Sequence, residues 1–233
     1  MARWDTIQVD GQPVRVYLDI PAGSGPFPAV IVAQHGAGVD RFIEDRVERL
    51  ARHGYLAAAP DLYHRQPPEG DMMTRIGRLR DKEVIADVNA TIAHIQRFPD
   101  ARVGKIGVTG FCMGGRVTYL MAGVNPIFSA AGVFYGGNIM VPWGEGPSPF
   151  DLTKNIPCPV AGFFGLEDTN PSPADVKKIS EELHKFGKPH EFHSYEGAGH
   201  AFLNFQNPNV YREKPAADAW EKCLAFLDKH LKG

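Results

Sequence analysis

Three side chains in this sequence have the types, the order and the surroundings needed for nucleophilic acyl transfer: Cys112, Asp168 and His200. Cys112 lies in Gly110-Phe111-Cys112-Met113-Gly114-Gly115, with a glycine two residues to either side. Loss of both Cβ atoms lets the chain turn sharply from a strand into a helix. Such an elbow lifts the middle side chain above the sheet edge and sets it at a helix N-terminus, where the dipole favours thiolate over thiol. An ordinary thiol is mostly protonated at neutral pH, so it needs a histidine to take its proton. A carboxylate must then hold the imidazole in its useful tautomer.

His200 sits between glycine-rich neighbours in Gly197-Ala198-Gly199-His200-Ala201-Phe202, whereas His53, His64, His94, His184 and His230 read as helix or loop surface positions. Asp168 follows Phe163-Phe164-Gly165-Leu166-Glu167, with Glu167 as an immediate rival for the acid and Asp151 as a more distant one. Nucleophile, acid, then histidine is the chain order of a triad on a parallel α/β sheet. Such chemistry also needs amides for the oxyanion. One comes from the residue after the nucleophile, Met113. The other is assigned to Gly36, in the glycine-rich Gln34-His35-Gly36-Ala37-Gly38. Cys158, before Pro159, and Cys223, in the last helical stretch, read as packing residues.

The elements that must carry these residues follow from periodicity. Ile7 to Val9 and Val14 to Asp19 alternate, which predicts a hairpin turning at Asp10-Gly11. Continuous apolar runs at Ala29–Ala33 and Tyr55–Ala59 predict strands covered on both faces, with a helix between them from Arg41 to His53. Val84, Val88, Thr91, Ile92 and Ile95 mark one helix face, and Val176, Ile179, Leu183 and Phe186 mark another, starting near Ser172 or Pro173. Further strands are predicted from Lys105 into the elbow, at Ser129–Tyr135, at Val160–Phe164 and at Glu191–Tyr195. A closing helix is predicted along Ala217, Trp220, Leu224, Leu227 and Leu231. Alternating strands and helices imply an α/β fold: a mostly parallel, doubly wound sheet with helices on both faces. Ligands bind at the carboxyl ends of such strands, where all three candidate residues fall. Two long Pro- and Gly-rich loops, Tyr63–Met73 and Gly136–Pro149, are of the kind that covers a site.

A chain of 233 residues, 43% hydrophobic, is long enough for one domain spanning residues 1–233 with a substantial core. A formal charge of -2, interspersed along the chain, gives no electrostatic reason to bind nucleic acid or an anionic membrane. The N-terminus lacks the apolar core of a signal peptide, and the run from Phe27 to Ala33 is far short of a membrane span. Three cysteines without ligand-like spacing argue against disulfides or a metal site and for the reducing cytoplasm.

Several of these pieces together resemble the dienelactone hydrolase family of α/β-hydrolases. They are Ile31-Val32-Ala33-Gln34 with Gly38-Val39, Pro60-Asp61-Leu62-Tyr63, the cysteine elbow, Phe134-Tyr135-Gly136, Gly165-x-x-Asp168 with Pro171, and Tyr195-Glu196-x-Ala198-Gly199-His200-x-Phe202. The resemblance runs from about Pro28 to His200 and implies an α/β-hydrolase fold. It also implies a cysteine hydrolase of small-molecule lactones or carboxylic esters, without metal or organic cofactor, acting as a monomer or weak homodimer. Cys112, Asp168 and His200 fall on the family's triad positions. Tyr63 and Tyr135, in matching pieces, become candidate substrate-binding residues. Two departures stand out. The aromatic-degradation members carry glutamate after the oxyanion-loop glutamine, where this chain has His35. They place an arginine two residues past the phenylalanine of the histidine element, where this chain has Asn204. A second substrate arginine would fall among Arg75, Arg78 and Arg80. Peptidase or thioester hydrolysis by the same triad, and a non-catalytic binding role, remain as alternatives.

Asp168→Asn is expected to lower turnover of an activated ester by orders of magnitude, because a carboxamide stabilises the wrong imidazole tautomer. Glu167→Gln serves as the control in the same assay and should cost little; reversed effects would move the acid by one residue.

Overall fold

The computed structural model describes residues 1–233, the side chain of Val103 apart. The chain opens with an antiparallel hairpin, β1 (Arg3–Val9) and β2 (Gln12–Asp19). Asp10 and Gly11 form its two-residue turn with φ of 50° and 76°, the doubly left-handed geometry that matches strand twist. Then come β3 (Phe27–Ala33), α1 (Arg41–Arg52), β4 (Leu56–Pro60), α2 (Met72–Arg78), α3 (Asp81–Ile95), β5 (Ala101–Phe111) and α4 (Met113–Val124). The second half holds β6 (Phe128–Phe134), a 3-10 turn at Phe150–Asn155, β7 (Val160–Gly165), α5 (Pro173–Lys185), β8 (His190–Tyr195) and α6 (Glu213–Leu227).

Eight strands form one sheet in the order β1-β2-β4-β3-β5-β6-β7-β8. From β4 to β8 every pairing is parallel, while β2 runs antiparallel to both β1 and β4. The expected mostly parallel sheet is therefore present, with the hairpin extending one edge. Its two faces build two cores. Val30, Val32, Ala57 and Ala59 meet Phe42, Val47 and Leu50 of α1 and Trp220 and Leu227 of α6. Ile31, Ala33 and Val108 meet Val88 of α3, Val117 of α4 and Ile179 of α5. Burial on both faces is why these strands read as continuous apolar runs.

Three local expectations change. The Tyr63–Met73 loop gives way to α2 at its end, because the Asp71 carboxylate accepts from Thr74 N at 2.7 Å and caps a short helix that has no fully buried residue. The closing helix is rotated from the expected face: Ala217 is exposed and Leu224 half-buried, while Ala216, Ala219 and Cys223 are buried beside Trp220 and Leu227. Small side chains on that stripe let α6 approach the sheet closely. His64 is not at the surface; its side chain is 3% exposed, with Nε2 3.1 Å from Asp87 Oδ1.

The Gly136–Pro149 loop is held from beneath by a buried ion pair. Arg116 of α4, fully buried, donates to both Asp81 carboxylate oxygens at 2.6 and 3.0 Å. Asp81 also accepts from Trp143 N at 2.9 Å, and the Arg116 guanidinium lies 3.8 Å from the Trp143 ring centroid. Asp81→Asn leaves that guanidinium without its counter-charge, so urea unfolding should show a loss of about 3–5 kcal/mol. A loss below about 1 kcal/mol would mean that solvent already screens the pair.

Candidate active site

The sharp turn from β5 into α4 places Cys112 at φ 58°, ψ −120°, a conformation that L residues rarely adopt. Its flanking glycines are sterically required. A Cβ on Gly110 would overlap the Gly114 carbonyl, one on Gly114 the Ala33 carbonyl, and one on Gly115 would come within 2.6 Å of Phe134 O. Cys112 N donates to Phe134 O at 3.1 Å, which ties the elbow to the end of β6. The cysteine is half-buried and heads the helix that starts at Met113.

Asp168 and His200 arrive from the loops after β7 and β8. The His200 Nδ1 lies 2.8 Å from Asp168 Oδ2, and Asp168 Oδ1 accepts from Asn170 N at 2.9 Å. Asp168 is 4% exposed; Glu167 points to solvent and Asp151 bonds Ser148 Oγ at 2.7 Å. Burial works against a charged His200 ring, but the bond to Asp168 and the nearby Cys112 outweigh it and raise its pKa to about 10. Asp168 thus holds His200, and His200 and Cys112 line the same cavity.

The glycine loop after β3 lies against this elbow. Tyr63 Oη donates to Gly36 O at 2.9 Å and lies 3.4 Å from Met113 Sδ, so it holds the two expected oxyanion-site residues side by side. A Cβ on Gly36 would come within 2.7 Å of Met72 Sδ, so α2 rests directly on this loop.

A cavity of about 220 Å³ opens above Cys112, Met113 and His200. Its cover is Met72, Met73 and Ile76 of α2, and its wall includes Asn138 and Trp143 of the long loop after β6. Both long loops singled out from composition therefore contribute to it. Neither Trp143 nor the methionines carried a sequence signal of their own; the Met72-Met73 pair beside a helix cap was the one available hint. Asn170 also lines it, and was missed because a single asparagine after a strand reads as turn chemistry.

The other expected substrate residues lie outside that lining. His35 is 8% exposed and turns away, with Nε2 2.9 Å from Asp40 Oδ1 at a poor hydrogen-bond angle and its ring 5.3 Å from Phe42. Burial would raise the Asp40 carboxyl, but contact with His35 and bonds from the Ile43 and Phe42 amides bring it below the usual range. Asn204 Oδ1 accepts from Gln206 N at 3.1 Å and shapes a turn. Arg75 stacks on the Tyr63 ring at 4.1 Å, Arg78 donates to Glu69 O at 3.0 Å, and Arg80 donates to Leu79 O at 2.8 Å. None of these three guanidiniums lines the cavity. Tyr63 is buried as described, and Tyr135 lies fully buried beneath the histidine, edge-on to its ring at 5.3 Å.

A histidine whose folded pKa is raised adds stability that is complete below its unfolded value and is lost as pH rises through the folded one. Stability against urea should therefore decline between the ordinary histidine value of 6.5 and about 10. Asp168→Asn should flatten that decline and return the His200 ring resonance, followed by NMR, towards the ordinary range. An unchanged titration in the variant would remove Asp168 as its cause.

With the geometry in place, known proteins show the same pattern. The model of the dienelactone hydrolase family matches residues 14–231. A Synechocystis protein provisionally named carboxymethylenebutenolidase is 39% identical over 228 residues, spanning 93% of this chain and 92% of its own. A Bradyrhizobium protein provisionally named 2-oxo-3-(5-oxofuran-2-ylidene)propanoate lactonase is 28% identical across 99% of this chain and 95% of its own. The crystal structure of a Klebsiella pneumoniae protein provisionally assigned as a dienelactone hydrolase superposes with a TM-score of 0.90 at 32% identity, covering 98% of both chains. The sheet is that of an α/β-hydrolase, and the chain belongs to the dienelactone hydrolase family.

Proposed function

We propose that this chain hydrolyses neutral carboxylic esters or lactones through an acyl-thioester on Cys112. The His200–Asp168 pair, which lines the same cavity as Cys112 at the elbow, carries the reading. His200, positively charged well above neutral pH, stabilises negative charge on the adjacent sulfur. Sulfur attacks the substrate carbonyl, and the amides of Met113 and Gly36 receive the oxyanion. His200 gives its proton to the departing alkoxide, which in a lactone stays tethered to the acyl group. The ring, now neutral, takes a proton from water as that water attacks the thioester; the thiolate leaves and the protonated imidazole is restored. Asp168 holds Nδ1–H throughout.

Membership of the family and the lactonase name of the Bradyrhizobium relative support hydrolysis of this bond class. The cavity supports the neutral substrate: among the described residues no lysine or arginine lines it, and methionines, isoleucine and tryptophan form much of its surface. A carboxylate taken into such a space would lose its hydration and find no lysine or arginine, the one cationic lining group, His200, being already engaged by Asp168. Three free cysteines suit a reducing compartment, which we take to be the cytoplasm. No helix among the described residues is long and apolar enough to cross a membrane.

Incubation with a panel of esters and lactones should give an acyl mass shift on Cys112, and Cys112→Ala should abolish turnover with the fold intact. Cys158→Ala and Cys223→Ala should keep most activity. Turnover surviving in Cys112→Ala would end the proposal. Neutral lactones should exceed carboxylate-bearing ones in kcat/KM by about tenfold or more, the cost of an unpaired buried charge being at least that large. The opposite ranking, abolished by changing Arg75, Arg78 or Arg80, would instead reveal a rebuilt carboxylate clamp.

A further inference from the structure

Beside the catalytic cavity lies a second hollow of about 120 Å³. Ile139, Met140 and Val141 bound it on the loop side, with Pro171 and Ile179 opposite. It shares Asn138 and Asn170 with the catalytic cavity, so the two spaces meet at that asparagine pair. Asn138 N donates to Asn170 Oδ1 at 3.1 Å, which joins the two walls at the threshold.

A loop wall over an apolar hollow tends to collapse into it unless something else holds the backbone. Here the brace is Arg116. Its Nε donates to Asn138 O at 3.2 Å and its Nη2 to Val141 O at 2.6 Å, the two ends of the segment that forms the wall. With Asp81 neutralising the guanidinium from the other side, the wall is fixed in place without substrate. Asp175 is the one charged lining residue among those described, and its carboxylate is engaged by Ser172 N at 3.0 Å and Ser172 Oγ at 2.7 Å. What remains for a ligand is mostly apolar surface, separated from the catalytic cavity by the bonded asparagine pair.

We propose that this hollow is a second substrate subsite that takes an uncharged alkyl arm of the ester or lactone attacked by Cys112. The proposal rests on the hydrolase reading above. One arm of the substrate then lies under Met72 and Met73, and the other crosses the exposed rim at Asn138, over its hydrogen bond to Asn170. Preorganisation by Arg116 means that little ordering accompanies entry, so added methylenes act directly on affinity.

Two measurements test this. The first is kcat/KM for two ester series, one lengthened on the acyl side and one on the alcohol side, in the wild type and in Val141→Trp. Val141 is 48% exposed, so a larger side chain there fills the hollow without disturbing the core. In at least one series the wild type should gain about three- to fourfold per methylene over the first few carbons, the value of burying a methylene. Val141→Trp should remove most of that gain. The second measurement, calorimetric binding of methyl ketones from butanone to octanone, requires no turnover and should show the same slope and the same loss. Flat chain-length profiles in the wild type, or a slope untouched by Val141→Trp, overturn the subsite. Chain-dependent ketone binding without hydrolysis of any ester would retain the subsite and refute the hydrolase reading instead.

Discussion

The arrangement depends on one tight backbone turn. At Cys112 the chain leaves β5 with a positive φ and begins α4 at the next residue. Strain of this kind costs on the order of 1–3 kcal/mol and persists only where the surroundings over-determine it. Here they do. The absence of side chains at Gly110, Gly114 and Gly115 lets the carbonyls at the ends of β3 and β6 pack directly against the turn. That contact also fixes the neighbouring loops. The glycine loop after β3 comes to lie beside Met113, and the Cys112 amide is held by Phe134 O. One steric constraint thus aligns the ends of three adjacent strands.

The His200–Asp168 pair is supported by aromatic packing within the sheet. Register puts Phe111 opposite Phe134 and Phe134 opposite Phe163, and their rings stack at centroid distances of 4.7 and 4.5 Å. Tyr135, the residue after this ladder, meets the His200 ring and the Phe202 ring edge-on. The loop after β8 is therefore anchored by apolar contact on one side and by Asp168 on the other.

Several charges near the cavity are paired locally, outside its lining. Arg116 is engaged by Asp81 and two carbonyls, Arg75 by the face of Tyr63, and Asp40 by His35 and a helix N-terminus. The cavity has Cys112, His200 and Asp168 in its lining and flexible, polarisable methionine at its cover. In so apolar a setting the His200–Asp168 contact is weakly screened, which accords with the raised imidazole pKa.

Local chemistry made much of this legible before any coordinates. Continuous apolar runs can be satisfied only by strands covered on both faces, so the parallel sheet and its order of strands and helices followed from residue type. A cysteine between close glycines, an aspartate and a glycine-flanked histidine after later strands share the carboxyl edge of such a sheet for the same reason. Periodicity says nothing, however, about which way a loop side chain turns. Only the folded chain decided that Asp168 rather than Glu167 meets His200, because burial and the Asn170 amide select one carboxylate. The placement of His35, Asn204, Arg75, Arg78 and Arg80 outside the cavity was likewise not legible, because their contacts with nearby backbone, Asp40 and the Tyr63 ring depend on how each loop turns. Met72, Trp143 and the brace at Arg116 became visible only when segments far apart in sequence packed together, since their roles rest on contacts that no local pattern encodes.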